Sequence, residues 1–212
     1  MKTKIDLESW IRKDHYQFFS SFEEPFFGVT VKVDCTKAYS IAKEKGYSFF
    51  LYYLHKSLIA VNQIEEFRTR IIDGEVWSYD RVTASPTINR PDSTFGYAYF
   101  DFLDDFEAFS EKAKIEIEKV KQSTGLKTAL TGENVIHYSS IPWIDFTGLT
   151  HARAFSRQDS IPKICFGKMT EEGDKRYMPM SVHGHHGLMD AYHISRYIAM
   201  FQVIMDTDKD HP

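Results

Sequence analysis

Residues 28–34 read GVTVKVD, apolar and polar positions alternating with the period of a half-buried strand. Asp34 then stands where an N-cap is wanted, ahead of CTKAYSIAKEKG, a helix that Gly46 closes. In YSFFLYYLHKSLIAVNQI (47–64) the period lengthens, with Leu51, Leu54, Leu58 and Val61 at helical spacing. Strand-like runs return in FRTRIIDG, EVWSYD and TFGYAYFDF, with Asp73-Gly74 the predicted hairpin turn between the first two. DDFEAFSEKAKIEIEKVKQ (104–122) predicts an amphipathic helix whose inner stripe is Phe106, Phe109, Ala113, Ile117 and Val120. VIHYSSIPWIDF reads as a strand ending near Pro142. IPKICFGKM and KRYMPMSVHGHH read as two more, joined by the turn TEEGD. A last helix is predicted from Asp190, carrying Ala191, Ile194, Ile198, Phe201 and Met205 on one face.

Strands and helices mix here without strict βαβ alternation. That predicts an α/β protein, a two-layer sandwich of a mixed sheet flanked by helices, and argues against a doubly wound parallel sheet. No repeat, low-complexity tract or Pro/Gly/Ser linker divides residues 1–212, so one domain is expected. With 42% hydrophobic residues, including 17 Phe and 12 Tyr, the chain has ample material for a core. A net charge of −4 argues against the basic face that a nucleic-acid partner needs. No run approaches the roughly 18 apolar residues of a membrane span, so no membrane is expected. MKTKIDLESWIRKDHYQFF lacks the apolar stretch of a signal peptide, and Cys35 and Cys165 stand apart without CxxC spacing. A reducing cytoplasm is the expected location. GxGxxG and Walker A runs are both absent, so no nucleotide fingerprint is present.

Candidate chemistry concentrates in SVHGHHGLMDAYH (181–193), which holds four of the nine histidines and an aspartate. On an extended strand Val182, Gly184 and His186 share one face, and His183 and His185 the other. Three readings are open. His183, His185 and His193 are ordinary strand or helix residues and Asp190 is an N-cap. Alternatively, HGHH opens a metallohydrolase-like run, although the following GL departs from HxHxDH and a zinc site wants further convergent ligands. Or His186, at a strand end beside Gly187, is a general base, since imidazole titrates near neutral pH and can take and return a hydroxyl proton.

Other segments bear on the choice. HHGLMDAYHISRYI resembles the HHxxxDG signature of the chloramphenicol acetyltransferases, which recurs among wider CoA-dependent acyltransferases. SWIRKDHYQFF resembles their opening segment, and YSSIPWIDF their serine-x-x-Pro-Trp strand. AVNQIEEFRTRI, TFGYAYF and EEGDKRYMPMSVHGHH are similar to further stretches in the same order, so the resemblance spans essentially the whole chain.

The resemblance implies O-acetylation of a small hydroxylated acceptor, chloramphenicol first, with acetyl-CoA as co-substrate. It implies a homotrimer with active sites at subunit interfaces. His186 matches the catalytic base, and Asp190 the aspartate that pairs with an arginine, matched here by Arg12. Ser139, four residues before Trp143, matches the serine that supports the tetrahedral intermediate. No acyl-enzyme is implied, in keeping with the absence of a GxSxG elbow. Phe19, Phe27 and Phe95 are expected to line the acceptor pocket. His151 and Arg153 fall where the family has apolar walls, so a more polar pocket is expected. Ala191 replaces the signature's last glycine. Met169 and Cys165 stand where a tyrosine and a threonine meet CoA. Two alternatives are a catalytically silent, ligand-binding relative and a metal-dependent hydrolase using the histidine cluster.

Overall fold

The computed structural model describes residues 1–126, 132–155 and 158–207. In chain order the elements are β1 (Lys2–Lys4), α1 (Lys13–Phe19), β2 (Phe26–Asp34), α2 (Thr36–Glu44), α3 (Phe49–Asn62) and α4 (Glu65–Arg68). Then come β3 (Thr69–Ile72), β4 (Glu75–Tyr79), β5 (Thr83–Asn89), β6 (Phe95–Tyr97), α5 (Phe106–Lys121) and β7 (Val135–Ser140). The series closes with β8 (Lys163–Phe166), β9 (Thr170–Glu172), β10 (Lys175–His185) and α6 (Ala191–Met205).

Seven strands form the main sheet, in the order β2-β10-β8-β7-β5-β6 with β9 beside β10, while β1-β4-β3 make a small second sheet. β5, β7 and β8 run parallel to one another and the remaining main-sheet pairings are antiparallel. The expected mixed sheet flanked by helices is thus what the chain forms.

Strand alternation gives the main sheet two unlike faces. Ala84, Ile136, Ile164, Met180 and Val182 are fully buried in the helix-covered core. The opposite face carries a polar row, because Gly28, His183, Lys163, His137 and Ser85 are register partners across five strands. Partners in register point to the same side. α3 is buried all round, His55 and Lys56 included, and touches α2, α4, α5 and α6. A helix enclosed in this way is a core helix, which explains why its apolar positions exceed the four expected ones.

Several boundaries move. Cys35 is the N-cap residue of α2, while Asp34 folds its Oδ1 onto the Thr36 amide (3.0 Å) and hydroxyl (2.6 Å). The strand expected to end near Pro142 ends at Ser140. β5 carries no clear alternation and contains Pro86, which masks it in the sequence. Pro86 is tolerated because its carbonyl accepts from the Ala98 amide (3.0 Å) and pairing with β6 begins one residue later, at Thr87. The Asp73-Gly74 hairpin is present, both residues at positive φ (52° and 77°), as a two-residue turn of this kind requires. On α6 the buried stripe is Ile194, Tyr197, Phe201, Ile204 and Met205, and Ala191 is exposed.

Candidate active site

The chain turns sharply after β10, and His185 fixes that turn. Its Nδ1 accepts the Gly187 amide (3.1 Å), and its carbonyl accepts the amides of Leu188 (2.9 Å) and Met189 (3.0 Å). Gly184 and Gly187 leave the space the turn uses: a Cβ on Gly184 would overlap the Met189 side chain, and one on Gly187 would press on His185 and the Tyr16 backbone. His186 continues the ladder with the strand opposite, its amide donating to the Pro25 carbonyl (2.8 Å). Its ring is stacked on Phe19 (4.0 Å between centroids, 6° between planes) and leans on Phe27 at 4.5 Å. Nδ1 of His186 is buried with no hydrogen-bond partner among the described residues. The aromatic slot therefore fixes the ring from two sides.

Below the turn, Arg12 and Asp190 meet. Arg12 Nη1 donates to Asp190 Oδ2 (2.9 Å) and Nη2 to the His186 carbonyl (3.2 Å), so one guanidinium grips both the carboxylate and the backbone of His186. Arg12 is 8% exposed, the residue before the first turn of α1. Asp190 is also the N-cap of α6, its Oδ1 accepting from the Tyr192 amide (3.0 Å). The cap and ion-pair readings, alternatives in the sequence, coexist. Burial pushes the Asp190 carboxyl up, but Arg12 and His193 more than reverse this and leave it below the usual carboxylate value. His193 closes the capping box: Nδ1 accepts the Asp190 amide (3.2 Å) and Nε2 faces Glu66 on α4 at 3.3 Å. The reading of His185 and His193 as ordinary strand and helix residues fits what they do: both hold the turn, and the signal for His193 is its place three residues after a cap.

Ser139 lies elsewhere, on the polar face of the sheet. It is in register with Cys165, and Cys165 with Ser181 of β10. Two strand spacings and five further residues of chain therefore separate it from His186, about 19 Å. Ser139 lines a cavity of about 330 Å³ together with Ser85, Tyr97, His137, His151 and Lys163. Phe95, 41% exposed, also lines it, while Phe19 and Phe27 lie with His186 instead. The three aromatics expected in one pocket are thus split between two places within the chain.

A second chamber of about 220 Å³ adjoins the first through His151 and Lys163, and holds Glu24, Phe26, Arg153 and His183. His151 and His183 meet edge to face at 4.8 Å. Lys163 Nζ donates to Asp159 (2.6 Å), Arg153 pairs with Glu24, and both cations lie over Phe26. Burial pushes His137 and His151 down to about 4. His137 and Lys163 went unremarked in the sequence because their convergence depends on strand register.

Cys165 is fully buried, its thiol pushed up to about 12 by burial, so it offers no surface to CoA within this chain. Met169 is half-buried at the edge of the core. Ala191 opens α6 at a negative φ with its methyl exposed, so the replaced glycine demands no different turn. Among the described residues no three His, Cys, Asp or Glu side chains are grouped to hold a metal ion. Nor is any described helix long and apolar enough to cross a membrane.

Known proteins resemble this chain over nearly its whole length. Residues 1–202 match the family model described as chloramphenicol acetyltransferase. Chloramphenicol acetyltransferase 3 of Escherichia coli is 28% identical over 207 residues, 97% of each chain. The Clostridium perfringens chloramphenicol acetyltransferase is 30% identical, covering 96% of this chain and 98% of its own. A solved chloramphenicol acetyltransferase superposes with a TM-score of 0.90 at 30% identity, over 97% of this chain and all of that one.

Proposed function

The chain belongs to the chloramphenicol acetyltransferase family of acyltransferases, and from that premise we propose that it moves acetyl from acetyl-CoA to a hydroxyl of a small molecule, chloramphenicol being the first candidate. The observation that carries this reading is the Arg12 grip on Asp190 and on the His186 carbonyl, which holds a base whose ring is clamped by Phe19 and Phe27.

In the proposed reaction Nε2 of His186 takes the proton of the acceptor hydroxyl as its oxygen attacks the thioester carbon. The carbonyl oxygen becomes an oxyanion, and the Ser139 hydroxyl donates to it; losing such a donor typically costs about 10²–10³ in rate. Collapse breaks the C–S bond, and His186 returns the proton to the departing thiolate. Acetyl ester and free CoA thiol result, with no covalent enzyme intermediate. Met169 is the residue we assign to the pantetheine side.

His186 and Ser139 lie too far apart in one chain to act on one bond. We therefore place the reaction between copies, His186 from one and Ser139 from its neighbour, in a cyclic homotrimer. Exposed Phe18, Phe22 and Phe155 (60%, 45% and 67%) are apolar surface that such an assembly would cover. The enzyme is read as a single cytoplasmic domain that, acting on chloramphenicol, confers antibiotic resistance.

The test is thiol release from acetyl-CoA in the presence of chloramphenicol. Turnover that is abolished by His186→Ala in a folded protein supports the base. Substantial activity in that variant sinks the assignment. Acceptor binding without thiol release would identify the silent relative instead.

A further inference from the structure

Ser139 is placed by its backbone. Its hydroxyl lines the larger cavity and makes no hydrogen bond among the described residues, so the direction of its Oγ follows the carboxyl end of β7. Within the sheet that end is held from one side only. Pairing with β5 stops at Tyr138, opposite Pro86, which has no amide hydrogen to donate. Ser139 and Ser140 therefore have ladder partners only in β8, namely Cys165 and Phe166. Directly after Ser140 the chain leaves the strand and turns, the Ile144 amide donating to the Ile141 carbonyl (3.2 Å).

The missing hold comes from the helix layer. Strand alternation turns Ser140 to the face opposite Ser139, into the helix-covered core. There its Oγ meets the hydroxyl of Tyr53 on α3 at 2.9 Å. Tyr53 is 6% exposed, and its ring is boxed by Phe49, Phe50 and Phe166 at 5.3, 5.7 and 4.6 Å between centroids. Two buried hydroxyls bonded to each other differ little in stability from an apolar pair of the same shape. What this pair adds is direction: a hydroxyl clamped through its ring fixes the last residue of β7, and with it the residue before. Resting on the acetyltransferase reading, we propose that Tyr53 is a positioning residue of the reaction. Through Ser140 it holds the Ser139 hydroxyl where the oxyanion forms. Donors of this kind work because they are fixed before the charge develops, and small misplacements in a reacting geometry cost up to about 10² in rate.

The experiment reads thiol release from acetyl-CoA with chloramphenicol in the intact protein. Wild type, Tyr53→Phe, Ser140→Ala, Ser139→Ala and the double variants are compared, with thermal melts to confirm folding. Tyr53→Phe and Ser140→Ala are each expected to lower kcat about tenfold, both KM values staying within about twofold. Combined, they should cost no more than either alone, since they break one bond. The deciding readout is Tyr53→Phe in the Ser139→Ala background. There it should cost less than about twofold, because the hydroxyl it positions is gone. A merely structural role would cost the same factor in both backgrounds. Such additivity overturns the proposal, as does a Tyr53→Phe enzyme with the kcat of wild type. A wild type that releases no thiol overturns the acetyltransferase reading itself. Full activity in Ser139→Ala overturns the oxyanion donor, and in either case the proposal falls with it.

Discussion

Arg12 Nη1 and Asp190 Oδ2 lie 2.9 Å apart across 178 residues of sequence, and the same carboxylate caps the last helix. The two roles are separable by substitution. Asp190→Asn retains an N-cap acceptor but removes the charge, leaving Arg12 unpaired. Asp190→Ala removes both. Each variant should lower kcat, because each releases the grip on the His186 backbone. Their difference in stability isolates the cap, about 1 kcal/mol, or about 2–4 °C in Tm for a chain of this size. Thermal melts of the pair, with Asn the more stable, check this. Equal melts would mean that the Tyr192 amide gains nothing from the cap.

The polar face predicts a particular acid sensitivity. His137, His151 and His185 titrate at about 4 in the folded chain, against an ordinary 6.5, chiefly through burial. A base whose folded value is depressed stays neutral while its unfolded counterpart takes up a proton. Their contribution is therefore complete above about 6.5 and is lost as pH falls from there towards 4. The urea midpoint should decline across that window. Asp190, whose folded value lies below the usual carboxylate range, adds a further loss only at lower pH, as it is protonated. Replacing His151 by Leu should flatten the upper part of the decline, and an unchanged slope would contradict the neutral assignment.

Gly28 and His183 face each other across β2 and β10, and the imidazole folds over the bare Cα. A Cβ on Gly28 would overlap the His183 ring. Gly28→Ala is expected to lower the melting temperature clearly in the wild-type background and hardly at all in His183→Ala. Contacting residues of this kind typically couple by about 0.5–3 kcal/mol in a double-mutant cycle. Additive effects would show that the strand, not the ring, resents the methyl group.

Much of this was legible in the residues. The periodic elements (β2, α3, α5, β10 and α6) carry their own signals, and alternation along SVHGHH correctly set Val182 and Gly184 against His183 and His185. The family resemblance, not spacing, matched Asp190 with Arg12, the pair that the structure brings together. What stayed hidden depends on register. Lys163 and His137 become neighbours of His183 only through two strand pairings that no local pattern encodes. β5 was invisible because Pro86 and small polar residues erase its period. The particular bond His185 makes stayed hidden because its partner, the Gly187 amide, is a backbone group that a reading of side-chain types does not consider.

The separation of Ser139 from His186 yields the sharpest test of the proposed assembly. Ser139 is in register with Cys165 and thence Ser181, which leaves His186 about 19 Å away in the same chain. If each site joins His186 of one copy to Ser139 of the next, His186→Ala and Ser139→Ala homotrimers are both impaired at every site. Unfolding them together and refolding the mixture creates sites in which a Ser139→Ala chain supplies the histidine and a His186→Ala chain the serine. In an equal mixture, random cyclic assembly makes about one site in four intact. Thiol-release activity should therefore rise towards about a quarter of wild type, far above either variant refolded alone. Refolded wild type gives the reference, and sedimentation fixes the copy number of the active species. If the mixture is no more active than the average of the two parents, both residues act within one chain and the interfacial site is wrong.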